Sequence, residues 1–119
     1  MIKIVVDGDP IPAARPRYSV RRVVYQPKRN AEYRAKVQAA VEAMGGREPM
    51  TGEVVASVRL YRKYKPSARN FGDVDNHLKA IFDGMNGIVF ADDSQITRCV
   101  VEKFTDKNQP RAEIEIEER

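Results

Sequence analysis

The sequence holds one cysteine, Cys99, and one histidine, His77, among its 119 residues. A lone cysteine cannot close an internal disulfide, so the fold must rest on its core, as suits a reducing cytoplasm. With no histidine near it in sequence, Cys99 reads as a buried structural thiol in an apolar strand rather than a nucleophile. Also missing is any apolar run near the ~18 residues that a membrane-crossing helix needs. The opening Met1-Ile2-Lys3 leads into a strand and not a signal peptide, and there is no internal repeat or low-complexity tract. The expectation is one cytoplasmic domain spanning 1–119, with no membrane partner, large enough to bury roughly two thirds of its unfolded surface.

Charge is present in quantity but unevenly placed. The formal net charge is +4, yet residues 15–69 carry fourteen Lys/Arg against four Asp/Glu, a balance of +10 that leaves −6 for the rest. Such a division suggests a basic surface for a polyanion beside an acidic site that a cation could neutralise. Nucleic acid is the evident polyanion.

The acidic site is expected between Gly72 and Ile96. Val74, Leu78, Ile81, Phe82 and Met85 recur at helical spacing as one apolar stripe. Gly72 and Asp73 are its start signal, and Gly84, Asn86 and Gly87 its stop. Asp75 and Lys79 fall on neighbouring turns of one edge, with Asp73 just off the helix start. Beyond the helix an apolar segment, Ile88 to Ala91, leads to Asp92-Asp93-Ser94-Gln95. If the following strand lies beside the helix, this second acidic pair returns to the first.

Carboxylates so grouped suit a hard cation with oxygen ligands, which supplies a nucleophile and charge stabilisation for phosphodiester hydrolysis. On this reading Asp73, Asp75 and Asp93 ligate Mg2+, with Mn2+ as a substitute, and Asp92 assists or braces them. Lys79 balances the acids and stabilises developing negative charge. Plainer readings stay open at this point: Asp73 or Asp75 as an N-cap, Lys79 in i, i+4 pairs with Asp75 and Asp83, Asp92-Asp93 as turn residues. Under those readings the chain is a nucleic-acid-binding module without catalysis. His77 is expected at the surface or in packing rather than as a general base.

Around this centre the chain alternates. Ile2 to Val6 is a strand, followed by a Pro-rich loop and Arg15-Pro16-Arg17-Tyr18; Val20 to Tyr25 reads as a ribbon or ordered loop. In this arm Arg15, Arg17, Arg21, Arg22, Lys28 and Arg29 are candidates for phosphate contact, with Tyr18 and Tyr25 for stacking on bases. A second helix runs from about Lys28 or Ala31 to Met44, its stripe Tyr33, Val37, Ala40, Val41 and Met44 covering a sheet. Val54 to Tyr61 alternates as a half-buried strand and enters a second basic loop, where Arg62, Lys63, Lys65 and Arg69 would deliver a phosphodiester to Asp73. Ile96 to Phe104 and Arg111 to Glu117 are further strands, the last with an acidic outer face of Glu113, Glu115 and Glu117. The fold class is α+β: a mixed, mostly antiparallel sheet of about four strands with two main helices largely on one side.

The run Asp73-Val74-Asp75-Asn76, Lys79, Phe82-Asp83, Asn86-Gly87 and Asp92-Asp93-Ser94-Gln95 resembles the signature of the RusA family of Holliday junction resolvases, small endonucleases often carried by prophages. The first strand, the Pro- and Arg-rich loop, a helix with Tyr33-Arg34 and the length extend the likeness along nearly the whole chain. The resemblance implies a Mg2+-dependent endodeoxyribonuclease of recombination and repair whose homodimer nicks strands of opposite polarity across a four-way junction. It assigns Asp73 and Asp75 to the D-x-D, Asp93 to the later essential aspartate and Lys79 to the catalytic lysine, with Asn76 in a secondary place. Another branched or flap DNA remains an alternative substrate. One departure is visible, since Phe71 and Gly72 stand where the family often has Arg or Pro.

Overall fold

The computed structural model describes residues 1–14, 17–18, 24–25 and 28–119, with 17–18 and 24–25 described by their backbone alone. Its elements run β1 (Ile2–Asp7), β2 (Arg17–Tyr18), β3 (Val24–Tyr25), α1 (Lys28–Glu42), β4 (Val54–Arg62), α2 (Val74–Met85), β5 (Ile96–Thr105) and β6 (Arg111–Glu118). Alternation orients the sheet. Ile2, Ile4 and Val6 of β1, Val54, Ala56, Val58 and Leu60 of β4, and Ala112, Ile114 and Ile116 of β6 all turn to one side and are buried there, since a period of two puts every second side chain on one face. The two helices cover that face, and the architecture is α+β.

The four-stranded sheet has the order β1-β6-β4-β5. β6 lies antiparallel to both β1 and β4, with Ile114 facing Ile4 on one side and Val58 on the other. β4 and β5 are parallel. A parallel pair needs a crossover, and α2 is it, so α2 runs back across the sheet against the direction of both strands. β5 and β6 follow one another in sequence but are not neighbours. Asp106, whose Oδ1 accepts from the Asn108 and Gln109 amides, shapes the turn that carries the chain across the end of β4. Apart from this sheet, β2 and β3 form a small antiparallel ribbon within the basic arm.

Three side-chain expectations are corrected by the packing. The buried stripe of α2 is His77, Ala80, Ile81, Phe82, Gly84 and Met85, whereas Val74 is 39% exposed and it is His77 that the first turn buries. Gly84 is not a stop signal. It lies inside the helix where α1 crosses, and a Cβ there would stand 2.8 Å from the Val37 side chain. α1 ends at Glu42, so Met44 falls beyond it and is exposed.

The opposite face of the sheet is not acidic. Arg59 donates from Nε and Nη2 to Glu113 at 3.2 and 3.1 Å, and Arg111 donates to the second Glu113 oxygen at 2.7 Å. Glu115 also lies 3.7 Å from Arg59. β4 and β6 therefore exchange charges across their ladder, a cross-strand pairing that residue order alone does not reveal.

Candidate active site

β4 ends on Arg62, whose parity points it into the helix-covered face. Its side chain is 5% exposed. Nε and Nη2 each donate to Asp9 at 2.8 Å, while Nη1 donates to the Phe71 carbonyl at 2.6 Å and the Asn70 carbonyl at 3.3 Å. The expectation that Arg62 meets phosphate is corrected: the guanidinium is consumed inside the protein, where a buried cation must be paired.

His77 is the second inward polar group. It is buried, and its Nε2–H donates to the Phe71 carbonyl at 2.7 Å. A carbonyl can only accept, so this nitrogen carries the proton. Burial pushes the His77 pKa down to about 4, against the opposing effect of that hydrogen bond, and nearby Arg62 and Lys103 push the same way as burial. His77 is thus a packing residue, not a surface one, and is neutral at pH 7. Gly72 lies tight against it at φ 97°, where a Cβ would fall 2.9 Å from His77 Nε2 and from Pro12. That left-handed conformation and close approach both call for glycine.

The Pro-rich loop is fastened to the same spot. The Ala13 amide donates to the Asn76 carbonyl at 2.9 Å, and Asn30 of α1 donates its amide to the Pro12 carbonyl at 2.8 Å. Asn76 therefore contributes its backbone to the brace. The loop that leads toward the basic arm is thus tied, at Ala13, to the first turn of α2, the turn that carries Asp75. Asp9 and Asn30 had no recognisable signal in the sequence, because each acts through a contact distant along the chain.

In front of this backing stand the acids. Asp73 occupies the N-cap position with extended backbone, but its side chain makes no capping bond. Asp75 lies in the first turn and is exposed. Neither carboxylate has a side-chain partner among the described residues, so both leave open oxygens. Lys79 turns its ammonium to Asp83 at 3.4 Å, one turn away from Asp75.

The second acidic pair divides its roles. Asp92 Oδ2 accepts from the Ser94 amide at 3.1 Å, and Gln95 accepts from the Asp92 amide at 2.8 Å, closing a capping box. The Ser94 hydrogen bonds hold the Asp92 carboxyl below the usual carboxylate range. Asp92 thus shapes, through Oδ2, the turn that carries Asp93. Asp93 is exposed. Gln95 anchors the turn by donating to the carbonyls of Met50 and Gly52 at 2.8 and 2.9 Å.

The expected return of this pair to Asp73 and Asp75 does not occur within one chain. Ile96, just after the turn, pairs with Val54 at the start of β4, while Arg62 at the other end of β4 bonds to Phe71. Nine residues of strand and the twelve residues of α2 lie between, and a helix of that length rises about 18 Å. No cluster of three or more metal-ligating side chains occurs among the described residues. The donor chemistry nonetheless fits Mg2+, which takes oxygen ligands, keeps several waters and is often held by one or two carboxylates with substrate phosphate. One chain offers that minimum in Asp73 and Asp75.

Of the expected DNA contacts, Lys63, Lys65 and Arg69 are exposed on the loop leading to Asp73, and Lys28 and Arg29 are exposed at the start of α1. Lys28 lies 3.8 Å from Glu32. Arg15, Arg21 and Arg22 lie outside the described residues, as do the side chains of Arg17, Tyr18 and Tyr25. Lys103 of β5, unforeseen, stands 5.0 Å over the Phe71 ring and donates to the Pro66 carbonyl at 3.4 Å.

A family model described as "Endodeoxyribonuclease RusA" matches residues 7–117. The chain belongs to the RusA family. Its members are endonucleases that resolve Holliday junctions, so the chain is a nuclease by family and its substrate class is branched DNA. The match takes in both acid pairs, Lys79 and the basic arm. An "Uncharacterized protein YqaN" of Bacillus subtilis (strain 168) is 31% identical over a 137-residue alignment covering 98% of this chain and 96% of that protein. No helix among the described residues is long and apolar enough to cross a membrane.

Proposed function

We propose that this member of the RusA family is a Mg2+-dependent resolvase that binds four-way DNA junctions as a homodimer and nicks two strands of opposite polarity. One observation supports the reading above the rest: Asp73 and Asp75 are exposed and unpartnered among the described residues, yet the backbone beneath them is held by Arg62, His77 and Asn76 at the root of a basic arm. Acids used only for capping would spend their oxygens on the helix, as Asp92 does.

Asp73, Asp75 and Asp93 would hold the metal, with Mn2+ as a substitute. When bound, it lowers the pKa of a coordinated water and offsets charge on the transferring phosphoryl group. Because Asp93 leaves from the far end of α2, a site with all three carboxylates takes Asp93 from the second subunit. Asp92 keeps the Asp93 turn in shape. Lys79 exchanges its exposed contact with Asp83, worth only about 0.3–0.5 kcal/mol, for the scissile phosphate. Lys63, Lys65 and Arg69 on one side, and Lys28, Arg29 and the arm residues Arg15, Arg17, Arg21 and Arg22 on the other, bind flanking phosphates, while Tyr18 stacks on a base.

The test is incubation with a labelled four-way junction and a matched linear duplex, in Mg2+ or in EDTA. Paired, Mg2+-dependent nicks in the junction alone are expected. Asp75→Asn should remove several kcal/mol of transition-state stabilisation, at least ~10²-fold in rate, with junction binding equal or tighter because a repulsion toward phosphate is gone. Binding without cleavage by the unaltered protein, across metals and junction sequences, would instead make it a binding module.

A further inference from the structure

Asp73 and Asp75 stand on a short stretch of backbone, Gly72 to Asn76, that is tied at both ends to one loop. At its start the Phe71 carbonyl accepts from Arg62 Nη1 at 2.6 Å and from His77 Nε2 at 2.7 Å, which engages both of its lone pairs. At its end the Asn76 carbonyl accepts from the Ala13 amide at 2.9 Å. Arg62 is itself gripped by Asp9, one bond of 2.8 Å to each carboxylate oxygen. Asp9 and Ala13 belong to the same loop after β1. That loop is pinned in turn at Gly8, whose amide donates to the Pro110 carbonyl, and at Pro12, whose carbonyl accepts from Asn30.

The Asp9–Arg62 pair differs from the ion pairs on the open face of the sheet. Arg59 and Arg111 meet Glu113 on strands β4 and β6, where the ladder already fixes the backbone. The Arg62 fork instead joins two segments that no ladder holds, the loop of Asp9 and the turn Arg69–Phe71. A guanidinium is planar and its donors leave at fixed angles, so seating Nε and Nη2 on Asp9 fixes where Nη1 meets Phe71 and Asn70. Without Asp9, a cation only 5% exposed would lose its counter-charge and would turn toward water or other acceptors. The Phe71 carbonyl would then keep His77 alone.

We propose that Asp9 is a positioning residue for the acid pair: through Arg62 it sets the path on which the chain enters α2, and with it the placing of the Asp73 and Asp75 carboxylates. The proposal rests on the preceding reading that these two acids hold Mg2+, and it adds a residue far from them in sequence. The loop of Asp9 runs on toward the basic arm, so one short segment, residues 9–13, braces the acids and leads to the arm. Groups that orient ligating side chains change metal affinity or activity by about 10–100-fold when removed, and displacing a reacting group by about 1 Å costs on the order of 10²-fold. Because His77 retains its bond to Phe71 when Asp9 is gone, the effect here belongs at the lower end, about ten-fold.

The experiment compares the unaltered protein with Asp9→Ala, Asp9→Asn and Ile114→Val, the last a truncation of the buried core in β6 that lowers stability away from the loop. Each protein is first shown to be folded by circular dichroism at the assay temperature. Three quantities are then read: junction affinity in EDTA, the single-turnover cleavage rate at saturating protein, and, without DNA, the Mg2+ concentration at which the melting temperature starts to climb, which tracks the dissociation constant. Asp9→Ala should bind the junction as the unaltered protein does, cleave about ten-fold more slowly and need about ten-fold more Mg2+ before its melting temperature rises. Asp9→Asn keeps one oxygen acceptor for the fork and should fall between the two. Ile114→Val should melt earlier yet keep the native rate and Mg2+ requirement.

An unchanged Mg2+ requirement in the Asp9 variants would overturn the proposal, leaving Asp9 a stabilising residue only. Equal losses of junction affinity and of rate would overturn it as well, by making Asp9 part of the grip on DNA. Should Asp9→Ala fail to fold, Asp9→Asn decides by the same readings. An unaltered protein that neither cleaves nor responds to Mg2+ would sink the underlying reading and the proposal together, whereas one that does both, matched by its Asp9 variants, would sink the proposal alone.

Discussion

Arg62 makes four hydrogen bonds from one guanidinium, two to Asp9 and two to the carbonyls of Asn70 and Phe71. It therefore ties the loop after β1 to the segment that enters α2. Arg62→Met should leave Asp9 unpaired and two carbonyls without donors, lowering stability by about 2–4 kcal/mol. The lower end is expected, because the Asp9 side chain is 36% exposed and water takes up part of the loss. Arg62→Lys should restore little of it, since a single ammonium cannot span the fork of acceptors; urea midpoints at pH 7 compare the three proteins. His77 sets a pH dependence of its own. Its folded pKa of about 4 lies below the ordinary value of 6.5. The unfolded chain therefore takes up a proton as pH falls through 6.5, while the folded chain refuses it until about pH 4. Stability is full above pH 6.5 and is lost across that window, by up to roughly 3 kcal/mol. A His77→Gln protein in metal-free buffer should lack this part of the loss, which is read as the difference between the two proteins' unfolding free energies at pH 7 and pH 4.5.

Among the elements, α1 and α2 meet where Gly84 faces Val37. An added methyl would fall 2.8 Å from the Val37 Cβ and 3.0 Å from the Arg34 carbonyl, and the latter is backbone that cannot rotate away. Alanine would gain about 1 kcal/mol of helix propensity but overpack the crossing by about 1–3 kcal/mol. Gly84→Ala should therefore be destabilised by up to roughly 2 kcal/mol in thermal denaturation, against the usual sign for glycine within a helix. In sequence, Gly84 near Asn86 and Gly87 is indistinguishable from a terminator, because only the neighbouring helix gives it another purpose. Strands were readable for the opposite reason. The alternation in Val54–Arg62 and Arg111–Glu118 is written in adjacent residues and needs no partner to be seen, and the spacing of Ile81, Phe82 and Met85 likewise marks one face of α2. Pairing is a different matter: Arg59 with Glu113 and Arg62 with Asp9 join residues 54 and 53 positions apart, and residue type alone had placed Arg62 on DNA. The D-x-D was legible as a motif; the position of Asp93 at the other end of α2 follows from the parallel pairing of β4 and β5, which no local pattern specifies.

At the scale of the molecule, the division of charge seen in the sequence has a counterpart in space: exposed Lys63, Lys65 and Arg69 stand on the loop that leads to Asp73, and Ala13, just before the basic arm, is bonded to Asn76 in the first turn of α2. Carboxylates that face water without counterions repel one another. Mg2+ should thus raise the melting temperature in a concentration-dependent way, and Asp75→Asn should raise it in metal-free buffer while abolishing the Mg2+ effect. Differential scanning fluorimetry with EDTA, Mg2+ and Ca2+ reads both, and the absence of either shift would argue that the acids do not share a cation. The sheet order has a consequence for how such a molecule comes into being. β6, the last of the four strands in sequence, lies between β1, the first, and β4. While the chain is leaving the ribosome, β4, α2 and β5 can assemble as a local unit, but β1 has no strand to pair with until β6 has emerged. The loop after β1 carries Asp9, and Asp9 is what Arg62 awaits. The strand that precedes Asp9 is therefore seated in the sheet only when the last strand has been made, so the final residues of the chain complete the frame on which the first ones lie.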